Sequence, residues 1–83
     1  PNPFNPKTTI NYAIGKDGFV NLSVFDITGK FIKTLVHKNQ SQGIHFTEWN
    51  GRDETGENVV SGIYLIKIKI DDFTLSRKMI LLK

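Results

Sequence analysis

Apolar and polar residues alternate with a period of two along most of this chain, and no stretch shows the spacing of an amphipathic helix. The run TTINYAI sets Ile10, Tyr12 and Ile14 against polar or small residues, and FVNLSVFD does the same with Val20, Leu22 and Val24. FIKTLVH offers Phe31, Ile32, Leu35 and Val36. IHFTEW places Ile44, Phe46 and Glu48 on one face, with His45, Thr47 and Trp49 on the other. In VVSGIYLIKIKID the residues Ile66, Ile68 and Ile70 point inward while Lys67 and Lys69 point outward, and a last run extends from Phe73 to Leu82. These runs predict six strands, or seven if Val59–Val60 pairs separately from the run beginning at Ile63.

Turn chemistry supports that division. DITG (Asp26 to Gly29) and DETG (Asp53 to Gly56) share one form, with Asp first and Gly fourth. This suits a type I turn followed by a left-handed glycine. Asp71–Asp72 is a tight connection in which Asp tolerates positive φ, and Lys38 to Gly43 reads as a polar loop. Gly62, within a strand-like run, suggests a bulge or a close backbone contact. Short strands at such spacing predict an all-β fold, a sandwich in preference to a barrel.

Composition narrows the uses of such a fold. Eighty-three residues make one domain with a modest core. The opening Pro1 to Pro6, PNPFNP, carries three prolines. Together with residue 7 it reads as a stiff, non-helical lead-in with Phe4 as its anchor. Without an initial methionine the chain reads as a segment of a longer protein. Cysteine is absent, which excludes disulfides and thiolate metal sites. No apolar run approaches the roughly 18 residues of a membrane span. The net charge of +3 is spread among acidic residues, and Lys67 and Lys69 follow the pattern of a solvated sheet face, so nucleic acid is not an expected partner.

Candidate chemistry is sparse. His37 and His45 lie on different strands, too few for a zinc site. Ser61 and Ser76 lack a nucleophile-elbow context, and Glu48 and Glu57 have no cleft between them. Asn50, Asp53, Glu54 and Glu57 gather oxygen ligands, but the spacing fits no EF-hand loop and Arg52 lies among them. Hydrogen bonds from Asn50 and Asp53 to their own turn backbone are the better reading. Of the aromatic residues Tyr12, Phe19, Phe25, Phe46, Trp49, Tyr64 and Phe73, most are expected in the core. The sequence thus predicts no enzyme and no cofactor.

Taken in order, PNPFNPKTTINYAI, VNLSVFDITGKFIKTL, GIHFTEWNGRDETGENVVSGIYLIKI and RKMILLK resemble the type A C-terminal sorting domain of the type IX secretion system. The resemblance covers essentially the whole chain. The matching elements are Pro1, Asn2, Pro3, Phe4 and Asn5, then Asp26 and Gly29. Trp49, Asn50, Gly51, Arg52, Asp53 and Gly56 follow, then Ser61, Gly62 and Tyr64, and finally Lys78 to Lys83. It implies an immunoglobulin-like antiparallel sandwich of about seven strands. It also implies an N-terminal cargo, a secretion shuttle and a sortase-like peptidase as partners, and delivery outside or onto the surface of a Gram-negative cell.

The closing residues Lys78, Met79, Ile80, Leu81, Leu82 and Lys83 then become the candidate recognition strand. Leu75, Met79 and Leu81 share the face assigned to the core, and Ile80 and Leu82 share the other with Lys78. An open edge there would invite strand addition, with Lys78 and Lys83 as electrostatic markers. The competing expectation is that Met79 to Leu82 simply complete the core. A rival resemblance is to the immunoglobulin-like domain of flagellar hook-capping proteins, which shares the Trp-Asp-Gly-Arg-Asp style of loop and the Ser-Gly-Val-Tyr style of strand start. A carbohydrate-binding accessory module is a further alternative.

Overall fold

The computed structural model describes residues 7–83, so expectations for the lead-in and for Phe4 fall outside the described residues. Six strands follow one another: β1 (Thr8–Ile14), β2 (Gly18–Asp26), β3 (Phe31–Gln40), β4 (Gly43–Trp49), β5 (Gly62–Ile70) and β6 (Phe73–Leu81). All pairings are antiparallel. One sheet has the order β3–β2–β5–β6, and the other is the pair β1–β4.

The alternation read from the sequence places the core. Ile10, Tyr12 and Ile14 from β1 and Trp49 from β4 meet Val20, Leu22 and Val24 from β2 and Tyr64, Ile66 and Ile68 from β5. Ile32, Val36, Met79 and Leu81 complete one cluster spanning both sheets. Full burial of one such aliphatic side chain contributes about 1.5–3 kcal/mol, so this cluster is the main favourable term in folding.

Several expectations are corrected. A seventh strand is absent from the described residues, because the 50–61 segment pairs only through an isolated bridge between Arg52 and Asn58. The polar 38–43 loop shrinks to Ser41–Gln42, since Lys38, Asn39 and Gln40 pair with β2. Gly62 pairs with Leu81 in unbroken register, and the irregularities lie in β3 instead. There Leu22 faces Val36 and Ser23 faces Thr34, leaving Leu35 as the extra residue. Likewise Val24 faces Lys33 and Phe25 faces Phe31, leaving Ile32 as the extra residue. These bulges change the parity of β3, so Ile32 enters the core while Phe31 lands opposite Phe25 on the outer face.

The aromatic expectation also fails. Tyr12, Trp49 and Tyr64 are buried, but Phe19, Phe31, Phe46 and Phe73 are exposed. Phe46 stands with Ile44 on the outer face of the two-stranded sheet, and Phe73 on the uncovered start of β6. A two-stranded sheet cannot cover both edges of a four-stranded one, and that mismatch leaves out Phe73, whereas Phe19, Phe31 and Phe46 lie on outer faces.

Candidate functional site

The most elaborated local structure joins the 49–58 loop to the end of the chain. Trp49 is fully buried, packs edge-on against Tyr64 at 5.0 Å and donates its indole N–H to the Arg52 carbonyl at 2.8 Å. The Tyr64 hydroxyl donates to the Val60 carbonyl, 2.6 Å away, tying the start of β5 to the residues before it. Burial raises the Tyr64 pKa above the ordinary phenol value, with the Asp26 charge adding to the shift. Arg52 donates to the Gly56 carbonyl at 2.9 Å, and its own N–H is held by the Asn50 side chain at 3.1 Å.

Gly51 sits at φ 73, a left-handed conformation that glycine adopts without strain. Its missing side chain leaves room for Leu81, whose methyl carbon would lie 3.1 Å from an added Cβ. Lys83 closes the arrangement. Its ammonium donates to the Gly51 carbonyl at 3.1 Å and to the Asn58 side chain at 3.2 Å, and its backbone N–H donates to Ser61 Oγ at 3.0 Å. The last residues are therefore a latch against the loop, with Met79 and Leu81 in the core beneath it.

Two copies of one turn brace the same end. Asp26 Oδ1 accepts from the backbone N–H and the hydroxyl of Thr28 and from the Lys30 N–H, with Gly29 at φ 90. Asp53 Oδ1 accepts from the corresponding groups of Thr55 and from the Glu57 N–H, with Gly56 at φ 89. Each carboxylate lies below its ordinary pKa, chiefly through the threonine hydroxyl that bonds the charged form. The second turn is anchored to β3 by the Glu54 N–H, which donates to the Ile32 carbonyl at 2.9 Å. The Asx-turn reading of Asn50 and Asp53 is thus what the structure shows.

The other sequence candidates are dispersed. His37 lies on the outer face of β3 against Phe19, whereas His45 stacks on Tyr12 from β4 and bonds the Ser41 carbonyl at 2.7 Å. Among the described residues no three or more His, Cys, Asp or Glu side chains gather in a way that could hold a metal ion. None of their helices is long and apolar enough to cross a membrane. In the closing strand Lys78, Ile80 and Leu82 are exposed on an edge of the sheet, as expected, but Leu75 is half-exposed rather than core.

What the sequence reading missed is the outer face of β2 and β3. Phe25 and Phe31 meet edge-on with centroids 5.8 Å apart, and Lys67 Nζ stands 4.7 Å above the Phe25 ring. The signal was present in the parity of β2, where Phe19 and Phe25 alternate with the core positions Val20, Leu22 and Val24.

Two antiparallel sheets around a buried tryptophan, with a tyrosine hydroxyl returned to a backbone carbonyl a few residues upstream, define an immunoglobulin-like module. The family model of the FlgD Ig-like domain matches residues 8–72, and the chain belongs to that family. FlgD from Xanthomonas campestris, described in terms of hook capping essential for flagellar assembly, shares 26% identity at a TM-score of 0.71, covering 93% of this chain and 56% of that one. FlgD from P. aeruginosa, at 19% identity and a TM-score of 0.69, covers 93% of this chain and 62% of its own and shows the shared fold. The chain thus spans less than two thirds of either structure. No curated protein matches it.

These findings overturn the resemblance to a type IX sorting domain. The shuttle and sortase-like partners, and delivery to the cell exterior by that route, rested on the resemblance and go with it. So does the sorting role given to Lys78–Lys83. The physical reason lies in the motifs themselves. Asp26, Gly29, Trp49 to Asp53, Gly56, Ser61 and Tyr64 build turns, core and latch, so they report an immunoglobulin-like scaffold and not the use made of it.

Proposed function

We propose that this domain is a structural assembly module of a flagellar hook-capping protein, acting by presenting rigid sheet surfaces to neighbouring subunits and catalysing no reaction. The family match over residues 8–72 carries this reading. It is supported by the likeness to the X. campestris hook-capping FlgD across 93% of the chain. The distribution of side chains agrees with it. The polar groups of the 49–58 loop are occupied in holding the fold, whereas Ile44, Phe46, Ile80 and Leu82 are left on outer surfaces. Exposed apolar patches of this kind mark contact sites. The expected location is the growing hook.

A domain exchange tests this. The Ig-like domain of X. campestris FlgD is replaced by this chain in a strain lacking FlgD, and hooks are counted by electron microscopy. Hook formation above the FlgD-deficient background supports the reading. A chimera that is folded, stable and exported yet yields no hooks overturns it.

A further inference from the structure

We propose that the outer face of the four-stranded sheet binds an extended acidic segment of a partner protein, reading an apolar side chain and a carboxylate four residues apart. An open basin of about 420 Å³ lies there, graded from apolar to cationic. At one end are the rings of Phe25 and Phe31, packed edge-on with Phe31 still exposed. At the other are Lys69 and Thr74, which face each other across β5 and β6, with Asn21 opposite Lys69 on β2. Lys67, opposite Ser23, lays its ammonium 4.7 Å above the Phe25 ring.

The hydrogen-bonding inventory of the floor indicates what it can accept. Ser23 donates to the Asn21 side-chain oxygen at 2.8 Å, so the 3.2 Å contact between Ser23 and Thr34 must use the Thr34 proton. The Ser23 and Thr34 protons and the Asn21 oxygen are thereby occupied internally. The Asn21 amide N–H groups, the Thr74 hydroxyl and the Lys67 and Lys69 ammonium groups remain as donors, so the basin offers donors and positive charge. No carboxylate lines it. The nearby acid, Glu54, is turned to the Thr34 backbone N–H at 3.3 Å. A complementary ligand brings acceptors with negative charge together with an apolar group for the rings.

The spacing selects a strand. Along β2 Phe25 and Asn21, which lies opposite Lys69, are two two-residue steps apart, about 14 Å. Side chains four apart on an extended peptide share a face and have the same separation. A second copy of this face is disfavoured, since it would set Lys67 and Lys69 against their own kind. Binding of this sort is independent of whether the parent protein caps a hook.

The test uses a fluorescein-labelled peptide of three Glu-Thr-Leu repeats, titrated against the full chain by anisotropy at low salt. Saturable binding is expected, weakening tenfold or more when Gln replaces Glu and several-fold when Ser replaces Leu. K67E and K69E, verified as folded by circular dichroism, lose binding tenfold or more, and F31S loses several-fold. The proposal is overturned by the absence of saturation at about 1 mM peptide, or by unchanged affinity in the folded lysine variants. Equal binding of the Ser-substituted peptide or of polygalacturonate also overturns it, showing an unselective anion surface.

Discussion

The two halves of β6 obey one alternation and meet opposite fates. Phe73, Leu75, Arg77, Met79 and Leu81 all lie on the side of the strand that faces the second sheet. Met79 and Leu81 are buried, the latter completely, whereas Phe73 is 63% exposed and Leu75 48%. Composition does not separate them, since each half offers large apolar side chains. Coverage does. The start of β6 lies opposite the free edge of β1, where Arg77 reaches over to the Asn11 carbonyl at 2.6 Å and no further strand follows. The end of β6 lies under the 49–58 loop, where Gly51 makes room for Leu81. An inward-pointing position is therefore only a candidate for the core, and the width of the opposing layer decides.

This contrast is broken most severely at Leu81. Replacement by alanine removes a fully buried side chain beneath the latch and is expected to cost about 3 kcal/mol, within the usual range for such cavities. Urea unfolding would measure it, as a lower midpoint at unchanged slope. Gly51→Ala attacks the same contact from the loop side. The new methyl meets Leu81 and Lys83 carbons at 3.1 Å and also requires φ 73, so about 1–3 kcal/mol is expected by the same measurement.

How far these differences can be read in advance depends on their range along the chain. Alternation is local, so Ile10 to Ile14, Val20 to Val24 and Ile66 to Ile68 are legible as core directly from the sequence. The turns are equally local, because Asp26 and Asp53 bond groups within four residues. Coverage is not local. Nothing near Leu75 announces that its side of the sandwich lacks a partner strand. The β3 bulges are similarly silent, and they turn Phe31 outward while admitting Ile32. Function was the least legible. The Trp49 loop and the start of β5 are shaped by the demands of the scaffold, so residues that build it resemble those of any family using it.

Smaller effects sharpen the latch half of the comparison. Lys83→Ala removes two hydrogen bonds from an ammonium that is mostly in water, and about 1 kcal/mol or less should be lost. Thermal melting would register it as a slightly lower midpoint. The twin aspartates add a pH dependence. Their folded pKa values are depressed, so their contribution is complete above the unfolded Asp value of about 3.9 and is lost as pH falls through the folded values. Melting curves collected on acidification should therefore show a midpoint falling below about pH 4. Paired Asp26→Asn and Asp53→Asn replacements should flatten that fall. An unchanged profile would mean that other carboxylates dominate.

A small effect is also expected at the exposed half. Leu75→Ser changes an inward-pointing leucine to a hydroxyl, which in a covered sandwich would rank with the Leu81 change. Here the side chain is half in solvent already, bordering a groove with Tyr12, Ile68 and Phe73 that is open on one side. About half of its apolar area is still covered, and the new hydroxyl can remain hydrated, so a loss of about 1 kcal/mol is expected. A loss near that of Leu81→Ala would mean that β6 is covered along its whole length in solution, and the contrast between its halves would collapse. A loss limited to about a third of the Leu81 value would show that one strand can carry a core and an open groove in succession, divided only by what lies across from it.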